Sequence, residues 1–112
     1  MKWKRKLKRR PLITYLDVTH AADGRRLGRA DEFTLEGMHV LASEALNVGG
    51  LYTLRVKLPT ELNGMLYFDV DVCCVACPRS SNPDLYDAHI QFIYPSPDTV
   101  EAIEELIRRF AR

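Results

Sequence analysis

Apolar and polar residues alternate over much of the chain, with the period of two that is typical of half-buried β-strands. The clearest runs cover residues 51–59 and 65–77. The predicted inward positions of these two runs are Tyr52, Leu54, Val56, Leu58, Leu66, Phe68, Val70, Val72 and Cys74. Weaker alternation predicts further strands over 12–18, 25–33, 37–43 and 85–94. The chain therefore contains five or six strands.

Turn signals lie between these strands. Asp23-Gly24 and Asn63-Gly64 are dipeptides that favour tight hairpin turns, because their residues tolerate a positive φ. A segment with two prolines, over 78–84, separates the last two predicted strands. We therefore expect antiparallel pairing between neighbouring strands.

The period changes to that of a helix near the C-terminal end. Ser96 is a favourable N-cap, and Pro97 suits the first helical position. The apolar stripe at helical spacing consists of Val100, Ile103, Leu106, Ile107 and Phe110. We therefore expect a mainly β domain with one docked C-terminal helix. A small closed barrel is the economical packing, because closure removes exposed strand edges.

Length and charge refine this picture. The 112 residues, 46% of them hydrophobic, suit a single globular domain. Residues 1–10 hold seven of the 16 Lys and Arg residues and none of the 15 Asp and Glu residues. We therefore divide the chain into a basic N-terminal arm over 1–11 and a barrel domain over 12–112. No apolar run approaches the roughly 20 residues that span a bilayer, so we expect no membrane insertion. The three clustered cysteines form no disulfide framework, so we expect a reduced, cytoplasmic protein.

Catalytic and metal-binding patterns are weak. Cys74 and Cys77 have metal-ligand spacing, but no second pair accompanies them, and a structural zinc site needs four ligands. Three clustered cysteines do not form a disulfide framework either, so we interpret them as small packing residues. Asp69 and Asp71 alternate on the outward face of a strand, where solvation is the simpler interpretation. We predict no enzymatic activity, no metal and no cofactor.

The basic arm leaves three interpretations open. It could bind nucleic acid, with Trp3 stacking on a base. It could be a solvated tail, as blocks of like charge often are. It could also order around one compact anion, and a family resemblance favours this third interpretation.

Two short segments, "RKLKR" at 5–9 and "EFTLEG" at 32–37, resemble the two motifs of PilZ domains. The first motif is Arg-x-x-x-Arg before the first strand. The second is Asp or Asn, any residue, Ser, two further residues and Gly. Residues 38–59 and 101–110 also resemble the family pattern, so the resemblance covers nearly the whole chain. It implies a six-stranded antiparallel PilZ-like β-barrel with a C-terminal α-helix, and a bacterial receptor for cyclic di-GMP.

The resemblance also implies a binding site. Arginine offers planar, bidentate contacts to phosphate and to the guanine edge. The acidic and hydroxyl residues of the second motif would contact a guanine and its surroundings, and the glycine would permit a tight turn. The implied ligand-binding residues are Arg5, Arg9, Arg10, Glu32, Thr34 and Gly37. Ligand binding would tie the arm to the barrel and change the surface offered to a protein partner.

Glu32 and Thr34 depart from the family pattern, which has Asp or Asn and then Ser at these positions. One alternative is therefore a degenerate PilZ adaptor that acts through protein contacts without binding cyclic di-GMP. The remaining alternative is a nucleic-acid binder, whose affinity would fall steeply with salt. We do not expect nucleic acid as the partner.

Overall fold

The computed structural model describes residues 9–112, which form a closed antiparallel barrel of six strands followed by one helix. Around the barrel the strand order is β1-β2-β3-β6-β5-β4. The elements are β1 (Arg10–His20), β2 (Arg26–Phe33), β3 (Gly37–Ala42), β4 (Leu51–Leu62), β5 (Met65–Ala76), β6 (Tyr86–Phe92) and α1 (Pro97–Phe110). The predicted mainly β barrel with a C-terminal helix is confirmed.

The barrel interior is filled by the inward members of the alternating strands. Most of the predicted inward residues of β4 and β5 are buried, and Tyr52 is half-buried. The prediction for Leu66 is wrong, because its side chain is 66% exposed. The pairing of β4 with β5 changes register between Lys57 and Leu62, and Met65 packs against the core instead. Alternation in the sequence does not reveal such a shift.

The outward face of β4 and β5 is solvated, as predicted. The guanidinium of Arg55 donates to both carboxylate oxygens of Asp69, at 2.8 and 3.0 Å. The hydroxyl of Thr53 donates to Asp71 at 2.7 Å. Because these groups are exposed, the two aspartates are part of an ordinary polar barrel wall.

Both predicted hairpin turns are present. Asn63 and Gly64 have φ of 50° and 80°, the left-handed values that a type I′ turn requires. Gly24 has φ of 74° in the turn between β1 and β2. The first strand begins at Arg10, two residues before the predicted start over 12–18. Arg10 and Pro11 therefore belong to the barrel wall.

Helix α1 begins as the sequence predicts. The hydroxyl of Ser96 accepts a hydrogen bond from the amide of Thr99 at 3.2 Å, with Pro97 in the first turn. Ile103 and Leu106 of the predicted stripe are buried, together with Thr99 and Ala102. Ile107 and Phe110 of the stripe are half-buried and pack against the core. Val100 is only half-buried. The helix contacts β1, β4 and β5, so its orientation is decided by the barrel surface as well as by its own apolar spacing.

The end of α1 is tied to the start of β1. Ala111 forms a bridge with Leu12, and the amide of Arg112 donates to the carbonyl of Pro11 at 2.9 Å. Within the described range, this helix is too short and too polar to cross a membrane.

Candidate functional site

The turn between β2 and β3 contains the second sequence motif. The hydroxyl oxygen of Thr34 accepts hydrogen bonds from the amides of Glu36 and Gly37, at 2.9 and 3.2 Å. The amide of Thr34 donates to the carbonyl of Gly37 at 2.9 Å. Either Ser or Thr can supply this hydroxyl, so Thr34 keeps the turn-forming chemistry of the motif.

Gly37 is required by a close approach between strands. A Cβ at this position would lie 2.0 Å from the carbonyl oxygen of Ile90 on β6. Glycine is the residue that permits such contact, because it has no side chain. The hydroxyl and the glycine of the motif are thus both explained by the architecture of the turn. Whether they also contact a ligand stays a prediction.

A β-bulge places two neighbouring carboxylates on the outer face of β2. Ala30 pairs with Val40, but Glu32 pairs with His39, so Asp31 is the extra residue. Ala30 and Phe33 are fully buried on either side, whereas Asp31 and Glu32 are both half-buried. A regular strand would have pointed these two residues in opposite directions. The bulge therefore gives the site two acids where the motif has one.

His39, on β3, is held between two carboxylates. Its Nδ1 lies 2.5 Å from Oδ1 of Asp31, and its Nε2 lies 2.9 Å from Oδ1 of Asp87 on β6. Carboxylates only accept hydrogen bonds, so both ring nitrogens donate and the imidazole is cationic. Burial lowers the pKa of His39, but the hydrogen bonds and charges of Asp31 and then of Asp87 outweigh it and raise the pKa above its ordinary value. The sequence contains no local signal for this ion-pair cluster.

Arg9, the second arginine of the first motif, packs onto the same wall. The residue is only 6% exposed, and its Nη1 lies 2.8 Å from Nδ1 of His89 on β6. His89 in turn pairs with His39 across β3 and β6, with ring centroids 5.4 Å apart. A buried arginine is rare unless it is paired. Its side chain therefore joins the start of β1 to the histidine pair.

Arg10 and Pro11 bring the end of the arm to the second motif. In the pairing of β1 with β2, Arg10 lies opposite Phe33 and Pro11 opposite Glu32. The guanidinium of Arg10 donates to the main-chain oxygen of Arg112 at 3.3 Å. Arg5, the first arginine of the motif, lies outside the described residues.

A groove of about 380 Å³ opens beside this junction and is lined by residues 11–15, Asp31, Glu32 and Arg112. Four residues of β1, 12–15, lie between Pro11 and Leu16, the positions where pairing with β2 stops and resumes. The lining of the groove thus includes two carboxylates and an arginine. Its size falls within the range of small-molecule sites.

Two groups offer possible metal ligands. Asp31, Glu32 and His39 offer ligand atoms within 4.8 Å of one another. Both nitrogens of His39 already donate to carboxylates, so this group is an ion-pair cluster. Cys74 is buried in the core, and burial followed by the neighbouring Cys77 thiol raises its pKa to about 11. A protonated, buried thiol packs as a small apolar group, which confirms the interpretation of Cys74.

Comparison with known proteins bears on the fold. No family model matches the sequence, and no curated protein matches it. Among solved structures, Escherichia coli YcgR in complex with c-di-GMP has a TM-score of 0.71 and 19% identity, covering 94% of this chain and 45% of that chain. The Bacillus subtilis inhibitor of motility (MotI/DgrA) has a TM-score of 0.71 and 15% identity, covering 96% and 52%. The PilZ domain of E. coli YcgR with c-di-GMP has a TM-score of 0.63 and 22% identity, covering 95% and 93%.

This chain spans about half the length of the first two of these proteins and nearly all of the isolated PilZ domain. Its fold is therefore PilZ-like, as the motifs predicted.

Proposed function

We propose that this chain, whose fold is PilZ-like, binds cyclic di-GMP and passes the signal to a protein partner. In this proposal it is a binding module and not an enzyme. The observation that carries the proposal is the pairing of Arg10 with Phe33 and of Pro11 with Glu32. This pairing brings the residues that follow segment 5–9 against segment 32–37, which supports a single site formed by both segments. Two of the structural neighbours are complexes with c-di-GMP, which supports the choice of ligand.

The proposed site residues have complementary chemistry. The guanidinium groups of Arg5, Arg9 and Arg10 would contact phosphate and the O6 and N7 atoms of guanine. The carboxylate of Glu32 would accept from the guanine amino group, because carboxylates are acceptors and that group is a donor. Thr34 and Gly37 would hold the turn that presents Glu32 to the groove.

The proposed signal reaches a partner through the junction of β1 with α1. Arg10 contacts the main chain of Arg112, and Pro11 accepts from the amide of the same residue. A ligand that recruits Arg10 would compete for the first of these contacts. The surface around the end of α1 would then change with occupancy, which is a local switch of the order–disorder kind.

Isothermal titration of the full chain with cyclic di-GMP tests the proposal, with GTP as the competing guanine nucleotide. We expect binding of cyclic di-GMP in preference to GTP. Replacing Arg5 or Arg9 by Ala should weaken affinity by about 2 kcal/mol or more, because each loses charge-assisted contacts. Arg25→Ala is the matched control, since Arg25 is an exposed cation in the hairpin at the far end of β1.

The adaptor alternative makes the opposite prediction. It is favoured by Thr34, whose hydroxyl is already engaged by two amides of its own turn. An adaptor should give no heat and no thermal shift with cyclic di-GMP at about 100 micromolar, a concentration at which a modest site would stabilise the fold by mass action. A result of that kind would contradict nucleotide binding and leave the fold assignment intact.

A further inference from the structure

We infer that His89 is the positioning residue for Arg9, so that ligand affinity depends on the hydrogen-bond acceptor at Nδ1 of His89. This inference rests on the function proposed above. Nη1 of Arg9 lies 2.8 Å from that nitrogen. A guanidinium group can only donate, so Nδ1 of His89 accepts and its ring proton lies on Nε2. His89 is therefore a neutral imidazole that holds the cation through its lone pair.

The position of His89 in the barrel determines where its bond holds the Arg9 guanidinium. Glu32 pairs with His39, and His39 pairs with His89, so the three residues form one row across β2, β3 and β6. Neighbouring strands are about 4.8 Å apart, so the row spans about 10 Å. The bond to His89 holds the Arg9 guanidinium at one end of this row, and the Glu32 carboxylate stands at the other. A cation and a carboxylate are thus set apart on one wall before any ligand arrives.

The two facing histidines, His39 and His89, have different protonation states and different hydrogen-bonding roles. His39 is cationic and donates to Asp31 and Asp87. The charge of His39 offsets part of the charge of these two carboxylates, and the group that accepts from Arg9 is Nδ1 of His89. A carboxylate in the place of His89 would pair with Arg9 more strongly and would repel a phosphate. A neutral acceptor orients the guanidinium without adding a negative charge that would repel an anionic ligand.

Positioning of Arg9 by His89 should increase the affinity for cyclic di-GMP. Fixing a long, flexible side chain at the moment of binding weakens affinity by about 3- to 10-fold. If the bond to His89 has already fixed Arg9, its removal should restore that penalty. Replacement of His89 by Ala should therefore weaken cyclic di-GMP binding by about 3- to 10-fold, although His89 itself need not touch the ligand.

The test is isothermal titration of the full chain with cyclic di-GMP for four forms: wild type, His89→Ala, His89→Asn and His89→Gln. The Asn side chain can place its oxygen near the position of Nδ1, whereas the Gln oxygen reaches toward the position of Nε2. We expect Asn to retain affinity near that of wild type, and Gln to behave like Ala. The Asn and Gln variants are matched in polarity, so their difference isolates the place of the acceptor. They also keep the test decisive if the Ala variant fails to fold.

A second arm uses Arg9→Ala alone and combined with His89→Ala. If His89 acts through Arg9, its replacement should change nothing further once Arg9 is absent. Undiminished or tighter binding by His89→Ala would overturn the inference, as would equal losses in both backgrounds or equal behaviour of Asn and Gln. Those outcomes leave the proposed function standing. A wild-type protein that gives no heat with cyclic di-GMP would overturn the proposed function and this inference together.

Discussion

Replacement of Ile103 by Ala should destabilise the fold strongly, because this side chain anchors α1 to the barrel and is 0% exposed. The change removes three carbon atoms, which at about 0.8 kcal/mol per buried methylene is about 2.4 kcal/mol of transfer free energy. The cavity left behind adds to this loss, since a packed core relaxes only partly. We expect the free energy of unfolding to fall by about 3 to 4 kcal/mol.

Ile107→Ala is the matched control, because it makes the same chemical change one turn later at a half-buried position. Its expected cost is about 1 to 1.5 kcal/mol. Urea unfolding followed by circular dichroism measures both variants, with equal slopes required for a direct comparison. Equal losses for the two variants, or an unchanged midpoint for Ile103→Ala, would refute the reasoning. The helix would then be loosely attached, and its apolar face would be available to a partner.

Three further predictions concern the candidate site. Thr34→Val should lower the free energy of unfolding by about 1 to 3 kcal/mol, because two amides lose their acceptor, whereas Thr34→Ser should cost less; urea titration of both variants decides this. The stabilisation that His39 provides can be measured as the difference in unfolding free energy between wild type and His39→Gln. This difference should be complete below a pH of about 6.5 and should disappear as the pH rises through the raised folded-state pKa of His39. A difference that grows toward alkaline pH would contradict the ion-pair cluster. Glu32→Asp restores the shorter carboxylate of the family motif, so titration should show cyclic di-GMP binding equal to or tighter than that of wild type, and a loss would argue against the role of Glu32 in the site.

Local sequence patterns were sufficient for most of the elements. The alternation over β4 and β5, the Asn63-Gly64 turn and the Ser96-Pro97 helix start each depend on interactions within a few residues. Such features are decided by backbone sterics and by the need to bury one face of each element. The motif at 32–37 is local in the same sense, because the Thr34 hydroxyl closes its own turn.

The arrangement of side chains in the candidate site could not be predicted without the closed barrel. Asp31 reaches the outer face because of a bulge in the pairing of β2 with β3, and Leu66 is exposed because of a register shift between β4 and β5. Bulges and register shifts arise when strands must satisfy both neighbours in a closed sheet, a condition that no short window of sequence contains.

The contacts of the two histidines also depend on how the strands are arranged in the closed barrel. Arg9 contacts His89, and His39 contacts Asp87, only because β6 lies between β3 and β5 in the barrel. The sequence by itself therefore determined the strands, the turns and the helix start. The tertiary structure decided which charged side chains face one another, because ion pairs and buried histidines depend on contacts between residues distant in the chain.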